Sequence, residues 1–176
     1  VTPYYFPSVR GNSITVQRIE SGLRDHGVEV KVFSLDRQER GAILTALADA
    51  RPDVVHGFHA TVSGPLIAEA ARLLDISSAI TVTGTDVNED LFDADRSAVV
   101  RDVLGAVQAV VVFHETIGEK IRREVPAVAA KIRVIGLSAS AESAPVPPLP
   151  EPDVPVLARS AMAANCARAS SRLARV

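Results

Sequence analysis

Aromatic side chains are scarce. Five Phe, two Tyr and no Trp make up 4% of 176 residues, so any core is assembled from Val, Ile, Leu and Ala. A single cysteine, Cys166, excludes an intrachain disulfide and a cysteine-based zinc site, and it fits a reducing cytosol. No residue around Cys166 gives it a catalytic role. Neither sign of charge is in excess, with 19 basic against 21 acidic residues and a net charge of -2. Without a basic surplus, nucleic-acid binding lacks its electrostatic basis. No run reaches the roughly 18 apolar residues that span a bilayer, and no segment reads as a basic-then-apolar leader. A cytoplasmic protein with one domain and a real core is expected from this length and composition.

What is present alternates between two periods. Val16, Ile19 and Leu23 follow the candidate N-cap Ser13 at helical spacing, and Gly27 supplies a stop. Alternating Val28, Val30 and Val32 predict a strand over 28–33. Ile43, Leu44 and Leu47 mark a second helix that ends before Pro52, and a strand follows over 53–58. Pro65 opens a helix carrying Leu66, Ile67, Ala70, Leu73 and Leu74. Strands are expected at 79–83, 106–113 and 132–135, and helices at 94–104 and 117–125. The opening Thr-Pro-Tyr-Tyr-Phe-Pro, without an initial Met, reads as the end of a first strand that begins upstream. Repeated strand-helix units predict an α/β fold, a Rossmann-like doubly wound parallel sheet with helices on both faces.

That domain is expected to occupy residues 1–140. Six prolines between positions 145 and 155 suit an extended linker over 141–157 and no helix or central strand. The tail over 158–176 is rich in Ala, Ser and Arg and has no acidic residue.

Candidate chemistry gathers where strands end, because open α/β sheets bind ligands at the carboxyl edge. Gly11, Asn12 and Ser13 precede or open the first helix, where backbone N–H groups and the helix dipole favour an anion. The same residues also read as a tight turn with an N-cap. His59 closes the 53–58 strand, suited to a general base or a hydrogen bond to a sugar hydroxyl or phosphate, whereas His56 reads as structural. In Thr83-Gly84-Thr85-Asp86-Val87-Asn88-Glu89-Asp90, Asp86 is the expected acceptor for hydroxyls. The carboxylates lack the spacing of an EF-hand, so no metal is expected. The alternative is a loop and cap cluster for the next helix. His114 stands at another strand end, to touch ligand or cap the sheet. Ser63-Gly64 is not a nucleophile elbow.

The order of these pieces resembles the N-terminal domain of a GT-B fold, family 4 (group 1) glycosyltransferase. The opening loop from Gly11 to Ile19, the Gly27-Val28-Glu29-Val30 step and Pro52-Asp53-Val54-Val55-His56 carry the likeness. Gly84-Thr85-Asp86-Val87-Asn88-Glu89-Asp90 is most similar to the glycosyltransferase 1 domain-containing subgroup. The resemblance covers about residues 1–140. It implies the acceptor-side half of a retaining enzyme that uses a nucleotide-sugar donor and no metal. Gly11, Asn12 and Ser13 would then lie near the donor phosphates, and His59, Thr85, Asp86, Asn88 and His114 would line the acceptor side. The family's donor residues, a basic pair and a downstream acidic motif on a second domain, have no counterpart in these 176 residues. Transfer by this chain alone is therefore not expected. Two other readings remain: a non-catalytic module that binds a small molecule, and a domain that self-associates through the face that would otherwise meet a donor domain.

Overall fold

Short runs of small and β-branched residues build the centre of the protein. The computed structural model describes residues 1–8 and 10–137, and the linker expected over 141–157 and the tail over 158–176 lie outside the described residues. Four strands, β1 (Val54–Phe58), β2 (Ser77–Thr81), β3 (Ala109–Val112) and β4 (Ile132–Val134), lie side by side in chain order, all parallel. Six α-helices are described: α1 (Gly11–Asp25), α2 (Arg40–Ala50), α3 (Gly64–Leu74), α4 (Thr85–Asn88), α5 (Ser97–Ala106) and α6 (Glu115–Glu124). Two 3₁₀ turns, Asp90–Phe92 and Pro126–Lys131, complete the elements.

Two further extended segments continue the sheet beyond β1. Val1 N donates to His56 O and Phe58 N donates to Val1 O, so segment 1–3 runs parallel beside β1. On its other side Thr2 N donates to Phe33 O and Leu35 N to Thr2 O, a parallel bridge to Ser34. The chain therefore moves from segment 1–3 outward to 33–35, then returns to β1 on the opposite side. That reversal is a topological switch point, the position at which doubly wound sheets open a crevice. From β1 onward each crossover steps to the next neighbour in one direction. Right-handed crossovers then put α3, α5 and α6 on one face, and put α1, which steps the other way, on the other.

The core is aliphatic. Ile43, Leu66, Ile67, Ile80, Leu104, Val110, Val112 and Ile121 are fully buried between the sheet and the helices. Two glycines allow the layers to approach. A Cβ on Gly57 of β1 would stand 2.5 Å from Ile67 Cγ1 of α3, and one on Gly64 would stand 2.5 Å from Val103 Cγ1 of α5.

Several expected boundaries move. The strand predicted over 28–33 is not a strand. Val28 N bonds to Leu23 O and Arg24 donates to Val30 O at 2.9 Å, so this segment is tied to the end of α1, and pairing begins only at Phe33. The 106–113 run divides: Ala106 ends α5, Val107 N still bonds to Val103 O, and the Gln108 carboxamide takes the Ser78 amide. Ser13 is not the N-cap. Arg10 takes that position, and Ser13, one turn in, is buried with its hydroxyl donating to Ser8 O at 2.6 Å.

Candidate functional site

The carboxyl edge is formed by the loops that leave segment 1–3, β1, β2 and β3. The loop after β1 borders the switch point, and its first residue is His59. His59 has φ 73°, a left-handed conformation rare for a side-chain-bearing residue. Its amide donates to Thr81 O at 2.9 Å, and its carbonyl accepts from Ser63 N at 3.1 Å and from the Ser63 hydroxyl. The imidazole Nδ1 is buried without a hydrogen-bond partner. Backbone strain and an unpaired buried polar atom each carry a free-energy cost, and both concentrate at functional sites.

His56, three residues earlier, serves the fold. Its ring stacks on Phe58 at 4.6 Å between centroids, and its Nε2 lies 2.7 Å from Thr81 Oγ1. Burial pushes its pKa down to about 4, so the ring is neutral near neutral pH.

The Gly-Thr-Asp stretch forms α4, which sequence periodicity did not reveal because four residues are too few to show one. Its pattern is two pairs spaced by four. Val87 and Leu91 are buried in the core. Asp86 and Asp90, one position earlier in each turn, face the loop after β1. Asp86 was expected to present its carboxylate to a ligand, yet it is fully buried. Its oxygens accept from Ala60 N at 2.9 Å, Thr83 N at 3.0 Å and Gly84 N at 2.9 Å. Asp90, also buried, accepts from the Thr61 hydroxyl and pairs with Arg96 at 2.7 Å. Thr85, Asn88 and Glu89 are left exposed. Asn88 Oδ1 accepts from Lys120 of α6 at 2.6 Å, and the same ammonium lies 5.7 Å from the half-exposed Phe92 ring.

His114 caps α6: its Nδ1 accepts from Thr116 N at 3.3 Å, and the residue is exposed. Gly11 is exposed and Asn12 half-buried at the start of α1, across the switch point from His59. Nearby, Arg10 lies 4.2 Å over the Tyr4 ring, and burial together with the Glu20 carboxylate raises the Tyr5 hydroxyl to about 12. The α4 segment thus joins the loops after β1 and β2 and touches α6. Thr61, Arg96 and Lys120 were not singled out from sequence, and Asp90 was read only as one of the carboxylates of the 83–90 stretch. The four-residue spacing of Asp86 and Asp90 was the signal that could have shown that these two carboxylates share one face of α4 and its continuation.

A shallow groove of about 630 Å³ lies at the opposite end of the sheet, lined by residues including Arg72, Asp75, Ser78 and Gln108. Ligands of open α/β sheets do not collect at that edge, and the left-handed residue that borders it, Asp75 at φ 52°, is the C-cap of α3. Among the described residues, no cluster of His, Cys, Asp and Glu could hold a metal ion, and no helix is long and apolar enough to cross a membrane.

Residues 39–138, from the entry of α2 past β4, match the model of the glycosyl transferase 4-like domain. The chain belongs to this glycosyltransferase family. No curated protein matches it. In the family frame, the matched stretch holds His59, the whole α4 segment and His114. Gly11, Asn12 and Ser13 fall before it.

Proposed function

We propose that this chain provides the acceptor-side wall of a retaining glycosyltransferase that moves a sugar from a nucleotide-sugar donor to an acceptor hydroxyl. The observation that carries this reading is His59: a strained residue with an unpaired ring nitrogen, at the switch point of a family-matched domain. In this reading the His59 imidazole hydrogen-bonds the acceptor, Thr85 and Asn88 border the same cleft, and His114 reaches its far side. Gly11 and Asn12, at the amino end of α1, stand near the donor phosphates, and Ser13 fixes their loop from inside. The donor is held mainly by a second domain, which faces this one. Catalysis is then chiefly positioning and stabilisation of the departing diphosphate.

Calorimetric titration of the 176-residue chain with simple methyl glycosides, repeated for His59→Gln, tests this reading. Weak binding that the substitution abolishes is expected. Equal binding by both proteins would remove His59 from the site. The chain alone is expected to transfer no sugar, and measurable hydrolysis of a nucleotide sugar by the pure chain contradicts the two-domain part of the proposal.

A further inference from the structure

The buried Asp86 carboxylate and the strained His59 backbone are parts of one device. The conformation of a residue is set by the peptide planes on either side of it. At His59 the preceding plane is fixed by the His59 amide donating to Thr81 O of β2. The following plane carries the Ala60 amide, which donates to Asp86 Oδ2 at 2.9 Å. That plane's carbonyl is held locally by Ser63. Asp86 thus holds the plane after His59 from another loop, 26 residues on. Its remaining bonds, to Thr83 N and Gly84 N, anchor the carboxylate on the start of α4. Ionised carboxylate to backbone N–H bonds are among the stronger hydrogen bonds, and a left-handed residue with a Cβ persists only when its surroundings over-determine it.

We propose that Asp86 is a positioning residue: it locks His59 in its left-handed conformation and so sets where the imidazole stands in the cleft. The ligand-facing part of this statement rests on the reading of His59 given above, whereas the locking does not. Asp86→Asn isolates the contribution. An amide offers one acceptor oxygen in place of two, and its NH₂ meets backbone N–H groups that also donate. If the oxygen stays with Thr83 and Gly84, Ala60 loses its acceptor, and His59 is free to relax to negative φ.

The test is NMR on the full chain. In the wild type, His59 gives the strong intraresidue amide–Hα NOE of a positive φ. In Asp86→Asn this NOE is expected to fall about threefold as the left-handed population is lost. Binding of methyl glucoside is expected to weaken about tenfold, through a displaced imidazole. An unchanged NOE in a folded Asp86→Asn protein overturns the proposal. Should Asp86→Asn fail to fold, the double variant Asp86→Asn/His59→Gly decides: glycine needs no lock at this φ, so the double variant is expected to recover a dispersed spectrum. A double variant as unfolded as the single one overturns the proposal. A wild type that shows the NOE but binds no glycoside contradicts the cleft reading alone and leaves the NOE comparison to decide the lock.

Discussion

Replacing His59 by glycine is expected to stabilise the protein while removing its ligand contact. Glycine takes a φ of 73° without the Cβ clash that costs an L-residue about 1–2 kcal/mol. It also deletes the buried Nδ1 that has no partner, a desolvation penalty of about 1–3 kcal/mol. Against this, glycine loses more backbone entropy on folding, about 0.5–1 kcal/mol. Removing the half-buried ring forfeits about 1 kcal/mol of apolar contact. The balance is a net gain of about 1–2 kcal/mol, or about 3–8 °C in Tm for a unit of this size. Urea titration followed by circular dichroism reads it as a higher midpoint with an unchanged slope. His59→Ala keeps a Cβ at the same φ and so should gain less than His59→Gly. A lower midpoint for His59→Gly would refute the reasoning, because it would mean that the ring is a packing element whose conformation carries no strain.

Gly64→Ala drives a methyl group to within 2.5 Å of Val103 Cγ1 and is expected to destabilise by about 1–3 kcal/mol, measurable by the same titration. Asp90→Asn weakens the pair with the half-exposed Arg96 and the bond from Thr61, and should lower stability by about 1–2 kcal/mol. His56 has a folded pKa of about 4, depressed by burial, below an unfolded value near 6.5. Its neutral form therefore contributes stability that is fully present above about pH 6.5, declines as pH falls, and is lost below about pH 4, a total of about 3 kcal/mol. Comparing wild type with His56→Gln at pH 7, 5.5 and 4 checks this: the gap should narrow as pH falls, and a constant gap contradicts it.

The architecture was legible because it rests on long-range pattern. β-branched runs such as Val110 to Val112 and helical stripes such as Leu66, Ile67 and Ala70 leave a periodic trace whatever their neighbours are. Boundaries were less legible. Residues 28–33 alternate like a strand but are bonded to the end of α1, and Ala106 reads as strand although the Val107 amide still completes a helical turn. His59 could be placed at a strand end, but its left-handed φ could not, because no local residue announces it. The role of Asp86 was hidden for a related reason. A short acidic side chain after a glycine looks the same whether it faces solvent or folds inward on an amide 26 residues away. Only the packing of Val87 and Leu91 into the core, which turns Asp86 and Asp90 toward the loop after β1, distinguishes the two.

The most direct test of the central claim is a map of amide and imidazole NMR shifts in the 176-residue chain during titration with a methyl glycoside and, separately, a nucleoside diphosphate. The account predicts that the glycoside moves His59, Thr85 and His114 at the carboxyl edge, that the diphosphate moves Gly11 and Asn12, and that Ser78 and Gln108 at the opposite edge stay still. Shifts confined to Ser78 and Gln108, or none at His59, would contradict it.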